Sequence, residues 1–208
     1  DLLDIASRDI LNCYNYLLPD LRRITIFLPS NFAQKPLREN LIKHAAKLGY
    51  TAVLLPNCTT LRKWAFSRYV PNKPLLSQYA RELILVDAIK QHINLFSRAN
   101  PWAIASELLS FFDAMTLNNI EPTNVQNYFS QSQLDGHVLN TLSQEANLVT
   151  IIWQAWKKQL SQENIQDPIE AYVQVLQNAK FLNQEVYYSI GLDKISECEV
   201  SLFKKIES

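Results

Sequence analysis

The sequence predicts an α/β fold, a parallel-sheet core interrupted by a large all-helical insertion. Three observations carry this expectation. Strand and helix signals alternate over residues 1–70. Nearly every pattern over residues 71–179 is helical. A strand followed by a capped helix then returns over residues 180–208.

The elements follow in order. Leu2, Leu3, Ile5, Ile10, Leu11, Tyr14 and Leu18 recur at helical spacing, so residues 2–17 read as a helix that Pro19-Asp20 breaks. Ile24 to Leu28 is a β-branched and aromatic run ending at Pro29-Ser30, and it reads as a buried strand. Ser30 and Asn31 are suited to cap a helix that runs to Lys47, where Gly49 supplies the stop. Thr51 to Leu55 reads as a second strand ended by Pro56-Asn57, and a helix follows over residues 59–66. In a parallel sheet the loops after the strands face the ligand side. Here those loops are Pro29 to Asn31 and Pro56 to Thr60.

From Pro71 the pattern turns helical. Leu76, Tyr79, Leu83, Val86 and Ile93 share one face of a helix over residues 75–96. Asn100-Pro101 and Asp167-Pro168 each pair an N-cap residue with proline at the first helical position. They start helices reaching Leu117 and Asn178, and residues 121–129 and 137–160 supply two more. The strand signal returns over residues 185–190, and Ser196 with Glu199 forms a capping box for a last helix to Ile206.

Composition narrows the function classes. Hydrophobic residues make up 48% and charged residues 19%, with a net charge of +0. That balance supplies a core and argues against a surface that coats nucleic acid, while leaving room for a local basic patch. The three cysteines, Cys13, Cys58 and Cys198, lack disulfide-framework spacing and read as thiols of a cytoplasmic protein. No Cys/His pair has zinc spacing, so no metal is expected. The three glycines, Gly49, Gly136 and Gly191, form neither GxxxxGK(S/T) nor GxGxxG, so no nucleotide cofactor is expected either. Backbone amides approach phosphates closely only where side chains are missing. No apolar run is long enough to suggest a membrane span. The chain starts at Asp1 rather than Met, and is expected to be a piece of a longer protein.

The order of these segments resembles superfamily 1 helicases, and more closely the AddB-type subunit of bacterial helicase–nucleases. Ile24 to Ser30 followed by Leu37-Arg38 resembles that family's strand, Pro-Thr and arginine-rich helix start, in the place of helicase motif Ia. Ala52 to Pro56 resembles the family's "LLP" strand, and Leu76-Ser77 with Arg81 to Val86 its "S…R…LL" helix. Ala103 to Asp113 resembles "LA…L..LLD", and Ile152 to Trp156 with Asp167-Pro168 resembles "W…L…DP". Tyr187 to Leu192, with Ser196 and Glu199, resembles "VYxDGF…S..E".

The resemblance implies a P-loop-NTPase-like sheet belonging to a degenerate helicase domain. Ile190 stands where the metal-binding acid of the Walker B strand would be, and Asp193 falls past the strand end. The implied function is non-catalytic, a domain of a double-strand-break repair protein that guides DNA beside a partner helicase subunit. The implied DNA-binding residues are Ser30, Asn31, Lys35 and Arg38 in the first loop, and Asn57, Thr59, Thr60 and Arg62 in the second. Ser30 and Asn31 equally suit a plain capping role, and Lys35 and Arg38 a solvated face. Trp153 and Trp156 suit core packing, or a base-stacking platform beside Lys157 if exposed. Full-length members of the family carry a PD-(D/E)XK nuclease domain, whose acid–acid–lysine set is not read here. Two other function classes stay open. One is a protein–protein interaction module, favoured by the neutral charge and aromatic-rich insertion. The other is an enzyme of an unrecognised class.

Overall fold

The computed structural model describes residues 1–91, 100–125, 136–181 and 184–207. It is an α/β structure with a small three-stranded parallel sheet and a large helical part. The chain divides into two compact units. One comprises residues 1–68, 178–195 and 200–208; the other comprises residues 69–177 and 196–199.

The first unit holds the sheet. Strands β1 (Ile24–Phe27), β2 (Asn57–Thr59) and β3 (Val186–Ser189) lie in the order β2-β1-β3, all parallel. β1 is central and buried along its whole length, as a strand flanked on both edges and covered on both faces must be. Alternation along the strands splits the core in two. Ile24 and Ile26 pack with Cys58, Val186 and Tyr188 against helices α1 (Leu2–Cys13) and α2 (Gln34–Lys47). Phe27 points the other way. It contacts Trp64 edge-on at 5.5 Å, Tyr187 in a stack at 5.9 Å and Phe203 at 6.0 Å. Trp64 belongs to α3 (Leu61–Ser67), stacks on Phe181 and lies under the Arg68 guanidinium at 4.3 Å. Two side-chain contacts pin α1: His44 Nε2 to Asp4 at 2.7 Å, and the Tyr188 hydroxyl donating to Asp9 at 2.6 Å.

The second strand departs from the sequence expectation. Thr51 to Leu55 forms no ladder; the paired residues are Asn57 to Thr59. Leu54 instead makes an isolated bridge with Asp20, its N–H donating to Pro19 and its carbonyl accepting from Leu21. Pro56 has no N–H to give a ladder. It therefore splits one extended run into a bridge and a short strand, rather than ending it.

The second unit is helical. It contains α4 (Gln78–Gln91), α5 (Pro101–Leu117), α6 (Gly136–Gln162) and α7 (Pro168–Asn178). The expected helix over residues 121–129 is described only to Val125. Leu85, Val86, Ala105, Leu109, Phe112, Trp153, Trp156 and Leu160 form its core. Trp153 is 1% exposed and stacks on Phe112 at 5.3 Å, so the two tryptophans of α6 are packing residues. Both cap-plus-proline starts are realised. The Asn100 side chain accepts from Trp102 N–H at 3.0 Å, and Asp167 accepts from Ile169 N–H at 2.7 Å. The last helix, α8 (Glu197–Glu207), starts at Ser196, whose N–H and hydroxyl both donate to Glu199. No helix among the described residues is long and apolar enough to cross a membrane.

Candidate nucleic-acid interface

Because the three strands are parallel, their carboxyl ends share one edge. Leu28 N–H donates to the Thr59 carbonyl at 2.9 Å, and Ile190 N–H to the Phe27 carbonyl at 3.0 Å. The three chains therefore leave the sheet side by side. Gly191 has a φ of 66°, and a Cβ there would sit 3.6 Å from Leu2 and 3.9 Å from Pro29. The loops after β1 and β3 are thus in contact, and the turn between them favours glycine.

The first expected site loop leaves this edge. Ser30 is extended and half-buried, and a single 3₁₀ turn over Asn31–Ala33 precedes α2. Capping by Ser30 and Asn31 is not realised: no side chain caps this turn, and the Asn31 carboxamide accepts from Gln34 Nε2 at 2.8 Å. A side-chain partner has replaced the backbone amide. Lys35 is exposed and only 4.0 Å from Glu39, a solvent-screened pair that contributes little. Arg38 is exposed on the same face of α2 one turn on. Arg38 also reaches the buried Cys58 thiol, whose pKa burial pushes up and Arg38 draws back down.

The second loop divides. Thr60 caps α3, accepting from Lys63 N–H at 3.2 Å, and Arg62 is exposed with its guanidinium 6.0 Å from the Phe66 ring. Thr59 is buried and its hydroxyl donates to the Thr60 carbonyl, which leaves it no surface to offer a ligand. Asn57 is exposed but opens β2, about 7 Å back along the strand from Thr59. The edge thus gathers Ser30, Asn31 and Thr60, with Lys35, Arg38 and Arg62 on the helices that start there. Ile190 is buried in the core at the end of β3, and Asp193 is exposed beyond Gly191.

Two features escaped the sequence reading. Phe32 is 92% exposed at the tip of the first loop, between Asn31 and Lys35. It precedes and falls outside the buried Leu37–Leu41–Ala45 stripe of α2, and that offset was the available signal. The other is a buried charge cluster in the helical unit. Arg81 donates through Nε to Asp167 at 2.8 Å and through both terminal nitrogens to Asp113. Burial works against the Arg81 charge, but the hydrogen bond to Asp113 and the charges of both carboxylates prevail and raise its pKa. The signal was an arginine in the first turn of α4, just before its apolar run Leu83 to Val86.

No protein-family model matches the chain, and no curated protein sequence is significantly similar to it.

Proposed function

We propose that this chain is a non-catalytic, helicase-like domain that holds single-stranded DNA across the carboxyl edge of its sheet while a partner motor subunit hydrolyses ATP. On this reading the sheet is a degenerate P-loop-NTPase-like core, and the protein acts in cytoplasmic double-strand-break repair. The observation that carries the reading is the exposed Phe32 ring set between polar Ser30 and Asn31 and cationic Lys35 and Arg38. An exposed aromatic beside cations is the pairing that single-strand binding uses, one stacking a base and the others meeting phosphates. The ordered resemblance adds support. Arg81, Asp113 and Asp167, which stand in three separate motifs of that resemblance, meet in one cluster.

The test is fluorescence anisotropy with labelled single strands and overhang duplexes across a salt series. Salt-sensitive binding that weakens in Phe32→Ala and in Lys35→Ala/Arg38→Ala is the expected outcome. Absence of binding at low salt would sink the reading.

One observation favours an interaction module instead. An apolar groove of about 220 Å³ runs between α4 and α6, lined by Ile84, Leu85, Ile89, Ile151, Ile152 and Trp156. Ile151 is 61% exposed there. Capture of a partner at high salt, without DNA binding and abolished by Ile151→Asp, would favour this second reading.

A further inference from the structure

Two polar cavities in the helical unit play no part in either reading. The first, of about 250 Å³, is lined by Asn72, Lys73, Lys157, Gln166, Glu170 and Gln174 among others. The second, of about 270 Å³, shares Lys157, Glu170 and Gln174 with it. The wall of the first is tied together by backbone. Gln166 N–H donates to the Pro74 carbonyl at 2.9 Å, and Leu76 N–H to the Gln166 carbonyl at 3.1 Å. The segment carrying Asn72 and Lys73 is thereby fixed against the start of α7.

Its charges are unequally matched. Lys157 is satisfied by Glu121 at 2.8 Å and Glu170 at 3.6 Å. Lys73 is half-buried and forms no ion pair among the described residues. Lys157 is thus matched by two carboxylates, and Lys73 is the cation of this cavity left without a carboxylate partner among the described residues. The hydrogen-bonding wall is set beforehand. Gln166 Oε1 accepts from the Tyr69 hydroxyl at 2.7 Å, while its Nε2 donates to Gln174 Oε1 at 2.7 Å. Gln166 is held from both ends in one orientation, as a preorganised recognition group must be.

We propose that this cavity binds a small oxyanion-bearing molecule, with its phosphate or carboxylate group on Lys73 and its polar body along the Asn72–Gln166–Gln174 wall. At about 30 Å³ per water, the space equals about eight waters, which suits a compact metabolite rather than a polymer segment. No aromatic ring among the described residues lines the cavity, so a stacked nucleobase is not the fit.

The test is a titration of the ¹⁵N-labelled chain at constant ionic strength, following the Gln166 and Gln174 carboxamide signals. Inorganic phosphate and acetate are the probes. Saturable shifts with at least one probe are expected, with affinity about tenfold weaker in Lys73→Gln, as loss of a charge-assisted hydrogen bond implies. Lys73→Arg should recover binding, which separates a lost charge from a disturbed loop. Saturation by phosphate alone names a phosphate ester as the ligand class, and saturation by acetate names a carboxylate. Lys35→Ala, in the other unit, should leave this titration unchanged whatever the DNA experiment returns. Shifts that rise without saturating, or that match in wild type and Lys73→Gln, would overturn the proposal.

Discussion

Arg81 is the residue whose loss should be felt most. Its guanidinium is 2% exposed, and its partner Asp167 is 5% exposed. Removing one partner of a buried pair leaves the other charge unmatched, which costs about 3–5 kcal/mol. Arg81→Met should therefore lower the unfolding free energy, read from urea denaturation, by that order, and a loss below about 1 kcal/mol would refute the clamp. Asp20 acts oppositely, as an exposed group with a pH signature. The Arg22 side chain and then its backbone N–H hold the Asp20 carboxyl down, to about 2 from an ordinary 3.8. A carboxyl depressed in the fold contributes stability above its unfolded value and loses it as pH falls. Asp20→Asn should accordingly flatten the acid limb of stability between pH 3.8 and about 2, lowering stability at neutral pH while the two proteins converge below about pH 2. Stability profiles of the two proteins that stay parallel across that window would count against the pair.

Helices were more legible than strands, because helix ends are written in local chemistry. Asn100-Pro101 and Asp167-Pro168 start α5 and α7 where the sequence puts them, each with the expected acceptor on a backbone amide. Asn100→Ala should thus cost about 1 kcal/mol, read as a lower urea midpoint, while Asn100→Ser should cost far less. The first unit was harder to read. Val53, Leu54 and Leu55 have strand chemistry, yet the ladder fell on the polar Asn57–Thr59. Register with β1 is a long-range property, and a proline at position 56 decided which residues had amides to share. The cap assigned to Ser30 and Asn31 failed for a related reason. Both residue types suit the role, but Gln34 offered Asn31 a closer partner. Of the candidate site, the loops were legible from strand order. Phe32 and the Arg81 cluster were not, because exposure and pairing across 32 and 86 residues are not local quantities.

For the whole molecule, the balance of 20 basic and 20 acidic residues gives no general field to draw in a polyanion. Any DNA binding must come from a local patch, and salt dependence should reveal its size. Single strands lose about 0.7 in the log–log salt slope for each phosphate neutralised. Lys35, Arg38 and Arg62 together would give a slope of about −2, against about −10 for a strongly basic repressor. Lys35→Ala/Arg38→Ala should make the slope shallower by about 1.4. Phe32→Ala should instead weaken affinity by about 1–3 kcal/mol and leave the slope alone, since stacking releases no counterion. The two variants therefore separate phosphate contact from base contact on one loop. A slope much steeper than about −2, insensitive to Lys35 and Arg38, would put the DNA on another surface. A shallow slope that shifts with those two cations, together with a salt-independent loss at Phe32, would assign the carboxyl edge of the sheet as the path of the strand.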